Sequence, residues 1–194
     1  MRSIHRPITL AILCGAGAAV AADGTVTGKV EATPAKYLEE TVVYLKGVKG
    51  PAQAPQTHSM DQKSMTFIPH VLVVSQGDTV KFLNHDNVAH NVYSPDNEGF
   101  NLGSFKQGEE RSHIFAQSGA YSQLCSLHPE MLAFVFVAPG PWASAVDKKG
   151  TFTIAHVPPG TYQLAVWNSH LKAPDKSVTV AAGQTVTQDI ALKR

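Results

Sequence analysis

The stretch AYSQLCSLHPEMLAFVFV (120–137) places two strand-forming runs on either side of a seven-residue segment, CSLHPEM. Aromatic and β-branched residues fill the second run, and Pro129 sits in the segment between them, where a turn is expected. The segment spaces a cysteine, a histidine and a methionine three residues apart, as Cys125, His128 and Met131. Cys125 ends the first strand. The chain turns, and His128 and Met131 come back towards the same point before the second strand begins. One loop therefore delivers a thiolate, an imidazole and a thioether. Soft sulfur ligands favour copper, imidazole suits it too, and a methionine ligand argues against zinc.

Upstream, NHDNVAHNVYS (84–94) offers the missing second histidine. His90 opens a predicted strand and is followed by Asn91. His85, five residues earlier, competes for the same role. Two histidines and a cysteinate in a plane, with a distant axial methionine, describe a blue-copper electron-transfer site. Four protein ligands leave no open position for a substrate, so the pattern points away from an enzyme. A Cys–His nucleophile pair would need an orienting third group, and none stands out. The chain contains neither a Cys-x-x-Cys-His haem attachment sequence nor a His-x-His pair of the kind that multi-copper enzymes need.

Working outward, helical periodicity is scarce. Short alternating runs between Gly, Pro and Asn predict an all-β chain. Strands are expected at 24–30, 41–46, 71–75, 79–83, 89–94, 111–116, 119–124, 132–137, 151–155, 161–167, 176–181 and 185–191. SQGD (75–78) and VPPGTY (157–162) read as turns. GVKGPAQAPQ (47–56) and APGPWASAVDKKG (138–150) read as linkers, and the block between them holds every ligand named above.

The N-terminus predicts export. Arg2, His5 and Arg6 precede the apolar run ITLAILCGAGAAV (8–20), which is too short to span a bilayer, and small residues follow. Residues 1–22 are expected to be a signal peptide cleaved near Ala22. The mature chain would then be periplasmic and without a membrane span. Cleavage leaves 14 basic side chains against 15 acidic ones, a formal charge of −1. That balance gives no electrostatic footprint for nucleic acid. Cleavage also removes Cys14 and leaves Cys125 alone. An exported chain with one cysteine has no internal disulfide, so a bound metal would give that thiol a use.

The 56–138 region resembles the cupredoxins: plastocyanin, pseudoazurin and above all amicyanin, whose ligand loop has the same Cys-x2-His-x2-Met form. In FIPHVLVVSQGDTVKFLNHDNVAHNV (67–92), Phe67, Pro69, Gly77, Asp78, Val80, Phe82, Asn84, His90 and Asn91 match that family in type. The resemblance implies one type 1 copper per chain, held by His90, Cys125, His128 and Met131. It also implies that Asn91 supports the site by hydrogen bonding near the thiolate. Leu127 stands where several relatives have proline, so its amide is expected to donate to the thiolate and raise the potential. The implied partner is a redox protein, for example a periplasmic cytochrome or dehydrogenase. Docking is expected around the edge of His128, with Pro129, Leu132 and Ala133 as an apolar collar.

The flanks resemble a different family. GTVTGKV with TVVYLKG (24–47), and GTFTIAHVPPGTYQLAVW (150–167), are similar to the carboxypeptidase-regulatory, transthyretin-like β-sandwich. The expected architecture is a cupredoxin Greek-key β-sandwich (51–139) inserted into, or flanked by, a small transthyretin-like sandwich built from 23–50 and 140–194. The flank shows no cluster of aromatics suited to sugar binding. His58, Met60 and Met65 in HSMDQKSM (58–65) admit two readings. They form an accessory Cu(I) patch, which would favour a copper carrier or sequestering protein, or Met60 packs beneath the sheet and the rest is loop.

Overall fold

The computed structural model describes residues 22–48, 50 and 54–194. The signal-peptide reading falls outside the described residues except at Ala22, as does part of the 47–56 linker. No described helix is long and apolar enough to cross a membrane.

The described chain is almost entirely β. It begins with β1 (Gly24–Ala32), a 3-10 helix at Ala35–Glu40, and β2 (Thr41–Lys46). Then come β3 (Thr57–Gln62), β4 (Phe67–Ile68), β5 (Val71–Ser75), β6 (Thr79–Asn84), β7 (His90–Ser94), β8 (Phe100–Phe105), β9 (Glu110–Ile114), β10 (Gly119–Leu124) and β11 (Leu132–Ala138). The chain finishes with β12 (Ala143–Ala145), β13 (Thr151–Val157), β14 (Gly160–Asn168), β15 (Lys176–Val180), β16 (Thr185–Thr187) and β17 (Ile190–Leu192).

These strands form four sheets. Strands β5-β11-β10-β7-β8 face β4-β3-β6-β9 across one core, which includes Met60, Phe67, Phe82, Phe105, Phe115, Tyr121, Cys125 and Met131. The other two sheets are β13-β1-β16, with β17 also on β1, and β12-β2-β14-β15. They enclose a second core that includes Val26, Leu45, Trp142, Phe152, Ile154 and Leu164. β1 and β2 thus pair only with strands that follow β11.

The run LAFVFVA is apolar at every position because it is buried on both faces. Ala133, Val135 and Val137 enter the first core. Phe134, Phe136 and Ala138 point the other way and meet Val42, Tyr44 and Trp167. The Trp167 ring lies 5.2 Å from Phe134 and 5.7 Å from Phe136, centroid to centroid.

Several boundaries differ from the sequence reading. β3 crosses the predicted loop at 58–65. Its inward residues are Met60 and Gln62, and a buried glutamine hides the alternation. β8 also escapes notice, because FNLGSF is largely exposed and contains Gly103 at φ 70°. The 138–150 linker holds β12 and the buried side chains of Trp142 and Val146, as well as Ala138 at the end of β11. Trp142 donates its indole N–H to the His156 carbonyl at 2.8 Å. The predicted strand 185–191 is broken at Gln188 and Asp189. The Gln188 amide donates to the Thr27 carbonyl, and Asp189 accepts from the Lys29 amide.

The SQGD turn is fixed by Asp78, which is only 3% exposed. Its carboxylate accepts from the amides of Gln56 and Ser75 and from His58 Nε2, each at 2.8 Å. Burial alone would push the Asp78 pKa up. The two amides and the His58 ring outweigh burial and hold it below the usual carboxylate value. A group with a depressed folded pKa stabilises the fold above its unfolded pKa, and that stability is lost as the pH falls through the folded value. Asp78→Asn is therefore expected to lose about 1.5–3 kcal/mol at pH 7, the range for hydrogen bonds to a charged group. The variant's penalty should shrink below about pH 4, the ordinary aspartate range. Urea denaturation at pH 7 and pH 3 checks both statements.

Candidate metal centre

β7 and β10 are antiparallel neighbours, with Tyr93 opposite Leu124. One residue forward along β10 is therefore one residue back along β7, and the end of β10 meets the start of β7. This register brings Cys125 beside Asn91 and His90. The CSLHPEM loop closes on itself through the Met131 amide, which donates to the His128 carbonyl at 3.0 Å. His128 is thereby returned over Cys125, and Met131 is carried down into the core beside it.

His90, Cys125 and His128 form one cluster whose ligand atoms all lie within 4.8 Å of one another. Cys125 Sγ is 4.0 Å from His90 Nδ1 and 3.8 Å from His128 Nδ1, and the two Nδ1 atoms are 3.0 Å apart. A trigonal ion with bonds of about 2.0 Å to nitrogen and 2.3 Å to sulfur would space the donors by roughly 3.5 Å (N to N) and 3.7 Å (N to S). The observed triangle is close to that size, so the donor set fits a single soft or borderline metal ion. His90 is 0% exposed, Cys125 2% and Met131 1%. His128 is half-buried and is the one member of the group that reaches solvent.

Hydrogen bonds orient the donors. His90 Nε2 lies 2.8 Å from Asp86 Oδ2. The carboxylate can only accept, so Nε2 carries the proton and Nδ1 presents its lone pair to the cluster. The Asn91 amide N–H donates to Cys125 Sγ at 3.4 Å. Asn91 Oδ1 accepts from the Ser126 amide at 3.2 Å and from the Ser126 hydroxyl at 2.9 Å, and its Nδ2 donates to Asn101 Oδ1 at 2.9 Å. Asn91 thus ties β7 to the residue that follows the thiol. Burial raises the Asp86 pKa, but the Met65 amide, the His90 ring and the Ser64 amide hold it below its usual range overall.

Other sequence candidates fall elsewhere. The side chain of His85 is 57% exposed and pairs with Asp61 at 2.7 Å, outside the cluster. His58 is engaged by Asp78. Met60 is fully buried, and Met65 is 40% exposed on the turn beside Asp86. Met60 packs beneath the sheet as the packing alternative has it, but residues 57–62 are a strand where that alternative expected loop. Leu127 is 49% exposed, and its amide makes no hydrogen bond to Cys125 Sγ; the amide donor there belongs to Asn91. The expected collar is also redrawn. Ala133 is buried and Leu132 packs on the cluster between the two sandwiches, while Pro129 stays exposed and is joined there by Leu127 and Val88 (41% exposed). Sequence reading missed Asp86, whose only signal is its place four residues before His90 in NHDNVAH.

Residues 54–138 match the family model of copper-binding proteins of the plastocyanin/azurin family. Residues 142–188 match the model of polysaccharide lyase family 4, domain II. That match and the transthyretin-like resemblance of the flanks both describe a small β-sandwich. No curated protein matches the chain. Among solved structures, the chain is similar to a novel purple cupredoxin from Nitrosopumilus maritimus, at 28% identity over 42% of this chain and 99% of that one, with a TM-score of 0.39. It is also similar to the reduced state of an amicyanin mutant, at 27% identity over 42% of this chain and 82% of that one (TM-score 0.40). A third is a Cu-containing nitrite reductase from Thermus scotoductus SA-01, at 27% identity over 47% of this chain and 24% of that one (TM-score 0.40).

Proposed function

We propose that this chain, whose residues 54–138 match the plastocyanin/azurin copper-binding family, is an exported type 1 copper protein that carries single electrons between redox partners. The observation that carries the reading is the clustering of His90 Nδ1, Cys125 Sγ and His128 Nδ1, with Met131 buried in the same core as Cys125. Bound copper would supply a one-electron change between Cu(I) and Cu(II). The protein's part is to hold the donors so that little moves. His90 and Cys125 are locked by Asp86 and Asn91, and Met131 is wedged among core side chains. Such a closed set suits outer-sphere transfer and leaves no place for a substrate, which supports a carrier over an enzyme. The mature chain is placed in the periplasm, following cleavage near Ala22. Its partner is a redox protein such as a cytochrome or dehydrogenase.

The strand pairings support a discontinuous flanking sandwich, 23–50 with 140–194, around a copper domain at 51–139. The cluster joining Trp167 to Phe134 and Phe136 gives the flank a role in seating the copper domain.

Adding Cu(II) to purified mature protein tests the function. One copper per chain, with an intense visible band bleached by ascorbate, supports the electron carrier. Binding of Cu(I) only, or of more than one copper, would instead support a copper carrier or sequestering protein.

Because His128 alone reaches the surface, electrons are expected to pass its ring edge, beside exposed Leu127. Transient redox encounters use small interfaces, so one apolar side chain matters. Leu127→Glu is expected to slow electron transfer to the partner about tenfold or more, a loss of about 1.4 kcal/mol in encounter stability, with the copper spectrum unchanged. Stopped-flow kinetics reads this. An altered spectrum with unaltered transfer would sink the idea.

A further inference from the structure

The hydrogen bond between His90 and Asp86 belongs to a larger construction. Asp86 Oδ2 receives both His90 Nε2 and the Met65 amide, each at 2.8 Å, and Oδ1 receives the Ser64 amide at 2.6 Å. Ser64 and Met65 adopt φ of 55° and 56°, a left-handed conformation that non-glycine residues rarely take. It turns two successive amides onto one carboxylate. From below, the Asp86 amide donates to Asn84 Oδ1 at 2.9 Å, and Asn84 Nδ2 donates to the carbonyls of Val88 and Phe105. The carboxylate is held from three sides and aimed at a histidine that is fully buried.

From this geometry we infer that Asp86 is a positioning residue for the metal centre, fixing the tautomer of His90 and placing a negative charge one ring away from the bound ion. The inference rests on the copper reading of His90, Cys125 and His128. Carboxylate partners of metal-bound histidines orient the ring and raise its basicity. Here the carboxylate locks the proton on Nε2, so Nδ1 stays free to bind. Its charge favours the more positive Cu(II) over Cu(I), which lowers the reduction potential. The two amides keep the carboxylate from swinging into the site as a ligand itself.

The test compares the full mature chain with D86N and D86E. D86N removes the charge and keeps one acceptor oxygen, so it serves either the Ser64 amide or the Met65 amide and His90, and turns an NH2 donor towards the other. Its Cu(II) affinity is expected to fall 10–100-fold, with a smaller loss for Cu(I), so the potential moves upward. D86E restores the charge and should bring the potential back towards the wild-type value. Unfolding of the copper-free proteins separates a merely structural role. If D86N is less stable but has wild-type potential and Cu(II) affinity, the inference is overturned. A second measurement needs no variant: nitrogen NMR of copper-free protein should show the His90 proton on Nε2, and a proton on Nδ1 would overturn the assignment. A wild-type chain with no copper band would overturn the electron-carrier reading and this inference together. A normal wild-type band with an indifferent D86N overturns the inference alone.

Discussion

Cys125→Ser is expected to abolish the visible charge-transfer band of the copper-loaded protein completely while leaving the chain folded. The thiolate is the soft donor that selects copper, and it is the only sulfur in the plane defined with His90 and His128. A hydroxyl at the same position is a hard, weakly basic donor, and it does not give a thiolate-to-copper transition. The fold should survive because serine nearly matches cysteine in size and still accepts from the Asn91 amide, which now donates to Sγ at 3.4 Å. Absorption spectroscopy with a copper titration reads the first part, and far-ultraviolet circular dichroism the second. An intense band that persisted in the variant would place the copper away from Cys125 and overturn the ligand assignment.

The second large effect concerns the two cores. Phe152 is 1% exposed in the core between β1 and β2, and Phe82 is 0% exposed in the core beneath the metal cluster. Truncating either to alanine is expected to cost about 3–5 kcal/mol, since a large cavity replaces a packed ring. The consequences should differ. Phe82→Ala lowers the temperature at which the copper band bleaches. Phe152→Ala lowers the unfolding temperature of the flanking sandwich and leaves the band intact until the copper domain itself melts. Calorimetry with parallel absorbance distinguishes the two. If Phe152→Ala bleaches copper at its own lowered transition, the Trp167 contact welds the sandwiches into one cooperative unit.

The elements of the two sandwiches differ in how plainly local sequence announces them. The strand–loop–strand of 120–137 was readable because its chemistry is local. Three ligand types at fixed spacing must come together if the flanking runs are strands. The all-β class was readable for a related reason, since period-two alternation is a property of neighbouring residues. β3 and β8 were hidden because their inward positions carry Met60 and Gln62, or very little apolar surface at all. β12 was hidden inside a proline- and glycine-rich linker, and tertiary contacts alone bury Trp142 there.

Asp86 and Leu127 show the same limit at the level of single residues. The amide donor to the thiol follows from register: β7 runs antiparallel to β10, and that puts the Asn91 amide, not the Leu127 amide, over Sγ. The second partner of His90 follows from a turn at Ser64 and Met65, more than twenty residues away in sequence, which holds the carboxylate in place.

The donor types, their order along the chain and the β character of the scaffold are legible without any fold, because each depends on residues within a few positions of one another. The hydrogen bonds that orient His90 and Cys125, and the register in which β1 and β2 pair with strands a hundred residues later, come only from the folded chain. Those choices depend on strand register and long-range pairing, and local residue patterns leave both open.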